Sequence, residues 1–154
     1  MPREKNSFGK SAREKVAEAL KSSHKIADDT AAQIVQILLD TLAEEKNQRE
    51  ETEYLIPILV EYSLYAGDDT GRDLGEISWG ILEGVTRTSK ELNLDLNEIV
   101  VKTARAMLLE SDWRDVDLGI VIESFIRKNI PDGKTLVKKV YQSEKCSEEP
   151  RKAA

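Results

Sequence analysis

Between Gly71 and Leu92 apolar and polar positions recur at helical spacing, and no other stretch of the chain is divided so sharply. At roughly 100° per residue, Leu74, Ile77, Ile81, Leu82, Val85, Thr88 and Leu92 form one stripe. Arg72, Asp73, Glu76, Glu83, Arg87, Lys90 and Glu91 collect opposite it. Gly71 and Gly75 border one edge of the stripe, and Gly80 and Gly84 border the other. A helical glycine costs roughly 0.8–1 kcal/mol against alanine, so four of them require a return. Close approach of neighbouring helices on both flanks would supply it. The pattern therefore predicts a central helix over 71–92, with Asp69 or Thr70 as its cap.

The segments before it are also helical in spacing. Residues 1–10 read as a flexible tail, and Ser11-Ala-Arg-Glu14 has the form of a capping box. Ala12, Val16, Ala19, Leu20, Ser23 and Ala27 then make a weak apolar face. Ala31, Ile34, Val35, Leu38, Thr41 and Leu42 make a strong one, with Asp28-Asp29-Thr30 as a possible cap. Neither glycine nor proline interrupts 11–48, which leaves one helix or two. Thr52 opens an apolar helix over 53–66, kinked unless Pro57 lies near its start, and Gly67 closes it.

After the central helix, Asn93 suits a left-handed C-terminus, Asp95 and Glu98 a capping box, and Leu94 with Ile99 a hydrophobic staple. A helix to about Glu110 buries Ile99, Val100, Thr103, Ala106 and Met107. Ser111 or Asp112 caps another helix to Asn129, with Val116, Ile120, Val121, Ser124 and Phe125 inward. Pro131-Asp-Gly133 ends it, and 134–142 is a short last helix before a flexible tail over 143–154. The expectation is one all-α domain over 11–142, a bundle of five to seven helices around 71–92 and 53–66. Asp28-Asp-Thr30 recurs as Asp68-Asp-Thr70, and Asp73-Leu-Gly75 as Asp117-Leu-Gly119. That hints at a helical-hairpin repeat near forty residues, though caps alone would also repeat aspartate.

Composition fits this picture: of 154 residues, 40% are hydrophobic and 34% charged. The net charge of −6 is segregated. Residues 1–25 hold seven Lys/Arg against three Asp/Glu, whereas 26–100 hold five against seventeen. The basic leader is expected to fold over the acidic middle of its own or a sister chain. Overall acidity argues against duplex nucleic acid. The lone Cys146 forms no intrachain disulfide, and no apolar run reaches the ~20 residues of a spanning helix. A cytoplasmic setting is expected.

Candidate chemistry is sparse. Tyr54, Glu61 and Tyr65 fall within about 40° on the 53–66 helix. They would be either an acid–base site or its wetted edge. Glu50 and Glu53, with Glu44 and Glu45 nearby, would need Asp112 and Asp115 from a facing helix, helped by Glu110, to hold a divalent metal. A solvated acidic junction is the alternative. The one histidine, His24, lacks a helical metal partner, and Gly133-Lys134-Thr135 resembles a P-loop end with lysine at 128 where the first glycine belongs. Trp79 and Trp113 would anchor a partner surface or seal the ends of the core.

No motif is specific to a reaction or a cofactor. The leading expectation is a non-catalytic cytoplasmic interaction or scaffold module that self-associates, its partner a protein or a second copy. The alternatives are a helical metal-dependent hydrolase of the nucleotide type, and a peripheral binder of anionic surfaces, membranes included, through the basic leader.

Overall fold

The computed structural model describes residues 2–141, with side chains from Ser7 onward. They form seven helices and no strand: α1 Pro2–Lys21, α2 Ile26–Leu42, α3 Gln48–Thr70, α4 Leu74–Glu91, α5 Leu96–Arg114, α6 Gly119–Asn129 and α7 over 133–141. The expected tail over 143–154 lies outside the described residues. No helix is long and apolar enough to cross a membrane among the described residues.

α1–α2 and α3–α4 pair as hairpins, and α5 and α6 extend the stack, α5 against α3 and α4, α6 against α4. α1 packs on α3 and α3 on α5, making one layer; α2 packs on α4 and α4 on α6, making the other. Within each layer the helices run parallel. Arg49 meets Glu98 and Asp68 meets Arg114, so α3 and α5 ascend together. Trp79 meets Phe125 and Gly75 lies near Val121, so α4 and α6 do too. This is the layout of a short helical solenoid, in which each hairpin buries its apolar face against the next. The layer contacts join residues 46, 49 and 56 apart, further than the forty-residue spacing hinted at in the sequence. Asp73 and Asp117 do open equivalent helices, accepting from the amides of Glu76 and Gly119. Asp28 and Asp68 are not equivalent, since one lies in the first turn of α2 and the other in the last turn of α3.

α4 is central, touching α2, α3, α5 and α6. Its expected stripe is buried, with Ile77, Ile81, Leu82 and Val85 at or near zero exposure. Burial extends further round than the pattern implied, because the hydroxyls of Thr86 and Ser89 donate to the carbonyls of Leu82 and Val85. Only one of the two glycine edges is a helix contact too close for a side chain. A Cβ at Gly80 would lie 2.6 Å from the Ala27 carbonyl oxygen, and one at Gly84 would lie 2.5 Å from Cβ of Ile34. Both faces belong to α2. Gly71, by contrast, is outside the helix: at φ 67° it is the left-handed cap that ends α3. A Cβ at Gly75, in the first turn of α4, would lie 3.0 Å from the side chain of its own cap, Asp73, and 3.6 Å from Val121 of α6.

Several boundaries differ from expectation for local reasons. α1 begins at Pro2, so Ser11 and Glu14 lie inside a helix and residues 2–10 are not a tail. Phe8 packs on the core and Gly9 is buried under the ring of Tyr62, which holds the earlier turns down. Residues 11–48 are two helices, broken over 22–25, where the Ser23 hydroxyl donates to Asp29 at 2.5 Å. α3 opens at Asn47, which caps the amide of Glu50, not at Thr52. It runs through Gly67, whose bare backbone receives Leu74 and Ile77 of α4. Pro57 is therefore well inside α3, on its exposed side, where water can take the freed carbonyl. Asn93 at φ 56° and the Asp95 cap are as read.

The largest departure is at the end of α5. Ser111 does not cap a new helix: its hydroxyl donates to the carbonyl of Val116 and accepts from the amide of Leu118 at 3.1 Å, closing the turn from within. Asp112 and Trp113 thus belong to the last turn of α5. α6 starts at Gly119 and faces inward through Ile122, Phe125 and Ile126, leaving Ile120 exposed.

The glycine contrast gives a direct stability test. Gly84→Ala and Gly80→Ala should each cost about 1–3 kcal/mol through overpacking against α2. Gly75→Ala should shift stability by less than about 1 kcal/mol, helix propensity offsetting the crowding of Asp73. Denaturant titration of the three variants distinguishes a packed edge from an open one.

Candidate binding cleft between α3 and α5

Parallel packing of α3 and α5 brings their last two turns together. Glu61, Tyr65 and Asp68 come from α3, and Glu110, Trp113 and Arg114 from α5. They line a cleft of about 510 Å³. Arg114 is nearly covered, its side chain 11% exposed, and it donates to Glu110 one turn back and to Asp68 Oδ2 at 3.1 Å across the cleft. A guanidinium so enclosed requires such partners, since burying it unpaired would be costly.

From the other side of α3, Arg13 of α1 grips Asp69 with two hydrogen bonds, at 2.6 and 2.7 Å. Part of the basic leader therefore docks on the acidic middle of its own chain. Arg72, beyond α3, donates to the carbonyl of Lys21 at the end of α1. Tyr65 lies between these systems, with the Arg13 and Arg114 guanidinium carbons 5.1 and 4.9 Å from its ring centroid. Tyr62 meets it edge-on. Burial first, then the charge of Glu61, pushes the Tyr65 phenol above its usual range. It therefore stays protonated at neutral pH and serves as a donor.

The sequence placed Glu61 and Tyr65 together, and the structure does so. Tyr54 is elsewhere: eleven residues earlier, some 16 Å along α3, it lines a separate cleft with Phe8, Thr41, Glu45 and Glu51. Glu50 and Glu53 do not meet Asp112 and Asp115. With α3 and α5 parallel, the first pair lies at the start of the layer and the second at its end, on the order of 20 Å away. No group of three or more His, Cys, Asp or Glu is arranged to hold a metal among the described residues. Glu53 instead faces Glu98: a proton shared between the two carboxyls raises the Glu53 pKa and, with Arg49 at 2.8 Å, lowers that of Glu98.

The tryptophans divide. Trp79 is half-buried, edge-on to Phe125 at 5.1 Å between α4 and α6, with Lys128 over its ring, so it seals the core. Trp113 is 85% exposed at the mouth of the cleft. Sequence reading missed Arg13, Asp68, Asp69 and Arg114. The spacing of Glu110 and Arg114 was visible as an i,i+4 pair, but nothing local announced that both would face Tyr65.

The Arg13–Asp69 clamp sets a pH dependence. Hydrogen bonds from Arg13 hold the Asp69 carboxyl below its ordinary value of 3.8. Its contribution is full above 3.8 and is lost as pH falls from there through the lower folded value. Melting temperature against pH should show Asp69→Asn less stable than the parent by a constant margin near neutrality, with the margin closing in that acid window.

No family model, curated protein or solved structure matches this chain.

Proposed function

We propose that this chain is a non-catalytic interaction module of the cytoplasm, which offers the second half of α5 and the adjoining cleft to a partner polypeptide, another copy of itself included. The observation that carries this reading is the exposure of Trp113, 85%, with Leu109, 59% exposed, one turn before it on the same helix face. Large apolar side chains presented together beside a cleft are what binding surfaces use as anchors. α5 ends its layer. Lys139 of α7 reaches its first half, near Val101 and Arg105, and leaves Leu109 and Trp113 uncovered.

A binding role also fits the polar groups of the cleft. Arg114 is held by Glu110 and Asp68, and Tyr65 lies between the guanidinium groups of Arg13 and Arg114. Such a network fixes the shape of a surface and offers no activated nucleophile.

Trp113→Ala should leave folding stability within about 0.5 kcal/mol, as expected of an exposed position. It should weaken association by roughly 30-fold, the scale of a hot-spot truncation. Light scattering over a wide concentration range, with melting as the control, checks both. A parent chain that stays monomeric throughout removes self-association and leaves a different polypeptide as the partner.

A further inference from the structure

The charge distribution around Trp113 says more about what such a partner must present. The cleft wall holds three carboxylates, Glu61, Asp68 and Glu110, against one guanidinium, Arg114, and that guanidinium is already bound by two of the three. The turn that follows adds Asp112, Asp115 and Asp117, all exposed. Asp68 is 48% exposed and meets Arg114 through Oδ2. A carboxylate has about four acceptor sites, so Asp68 and Glu61 keep capacity for another donor. The ring of Trp113 stands open beside them, whereas that of Tyr65 is already flanked by Arg13 and Arg114.

We propose that this cleft receives a cationic side chain, arginine or lysine, from a partner polypeptide, stacked on Trp113 and hydrogen-bonded to Glu61 and Asp68. The proposal rests on the interaction-module reading and adds the chemistry of the partner. Three features favour that occupant. A cation over an indole gains from the ring quadrupole, most of all where water is partly excluded. An acidic rim steers basic segments and repels acidic ones. Face-to-face pairing of two copies would set acidic clefts against each other, so a second copy meets the requirement only by presenting one of its basic side chains. A neutral apolar segment would use Trp113 and Leu109 and leave the carboxylates desolvated without partners.

The test uses the full chain and three synthetic peptides of one length with leucines at fixed positions. The variable positions carry arginine, its neutral isostere citrulline, or glutamate. Titrations follow the indole N–H resonances of Trp113 and Trp79 by NMR. The arginine peptide should shift the Trp113 indole saturably and leave that of Trp79 in place. It should bind roughly tenfold tighter than the citrulline peptide, and less tightly as salt is raised. Glu61→Gln, which removes the charge and keeps the shape, and Asp68→Asn should each narrow that preference, with melting curves confirming the fold. Equal binding of arginine and citrulline peptides overturns the cationic preference while leaving the interaction surface in place. So does a preference for the glutamate peptide. If no peptide moves Trp113, the cationic site is refuted. If Trp113→Ala also leaves association unchanged, the module reading falls with it.

Discussion

The backbone of α4 lies against α2 at a distance that only glycine permits, and the rest of the fold is arranged about that seam. Gly80 sits under Ala27 and Thr30, Gly84 under Ala31 and Ile34. Two helical glycines give up roughly 0.8–1 kcal/mol each in propensity. The return is full burial of Ile34 and Leu38 on one side and Ile77, Ile81 and Leu82 on the other. Each such side chain contributes about 1.5–3 kcal/mol, so the exchange favours contact by a wide margin.

The seam has consequences at a distance. Because α2 and α4 run parallel and close, the hairpins to which they belong must stack in the same sense, and α1 and α3 are brought side by side. α4 lies between α2 and α6 in its own layer and packs on α3 and α5 of the other. The middle of α1 is thereby set against the last turns of α3, and those against the last turns of α5, which is why Arg13, Tyr65 and Arg114 converge though they are far apart in sequence. The cleft is a product of stacking rather than of any one helix. Its interior polar groups bind one another across three helices, and its rim exposes Trp113.

Much of the fold was legible because helical amphipathicity is local. The stripe of α4, the buried residues of α5 and the left-handed Asn93 were all set by neighbours within a turn or two. What escaped was decided by contacts from elsewhere. Gly71 and Gly75 fit the same periodic pattern as Gly80 and Gly84, yet one ends a helix and the other touches mainly its own cap. Spacing cannot separate a glycine needed for φ from one needed for packing. Ser111 looked like a helix start, and its hydroxyl instead closes a turn at a helix end, where serine is equally useful. The early start of α1 depends on Phe8 and Gly9 meeting α3, which no reading of residues 1–10 alone reveals.

The candidate site was half legible for the same reason. Glu61 and Tyr65 share a helix face, so their proximity was implied by spacing. Tyr54 shares that face as well, but about three turns earlier, where Phe8 and Ser11 of α1 and Thr41 of α2 line a different cleft. The acidic pairs at 50/53 and 112/115 needed antiparallel α3 and α5, and the hairpin stack makes them parallel. The seam itself can be observed directly in a nuclear Overhauser spectrum of isotopically labelled protein. Strong cross-peaks are expected from the Gly84 α-protons to the β-proton and γ2-methyl of Ile34, and from those of Gly80 to the side chain of Thr30. Their absence, in a spectrum that still shows α4 packed on α3 and α5, would contradict a glycine seam as the organising contact.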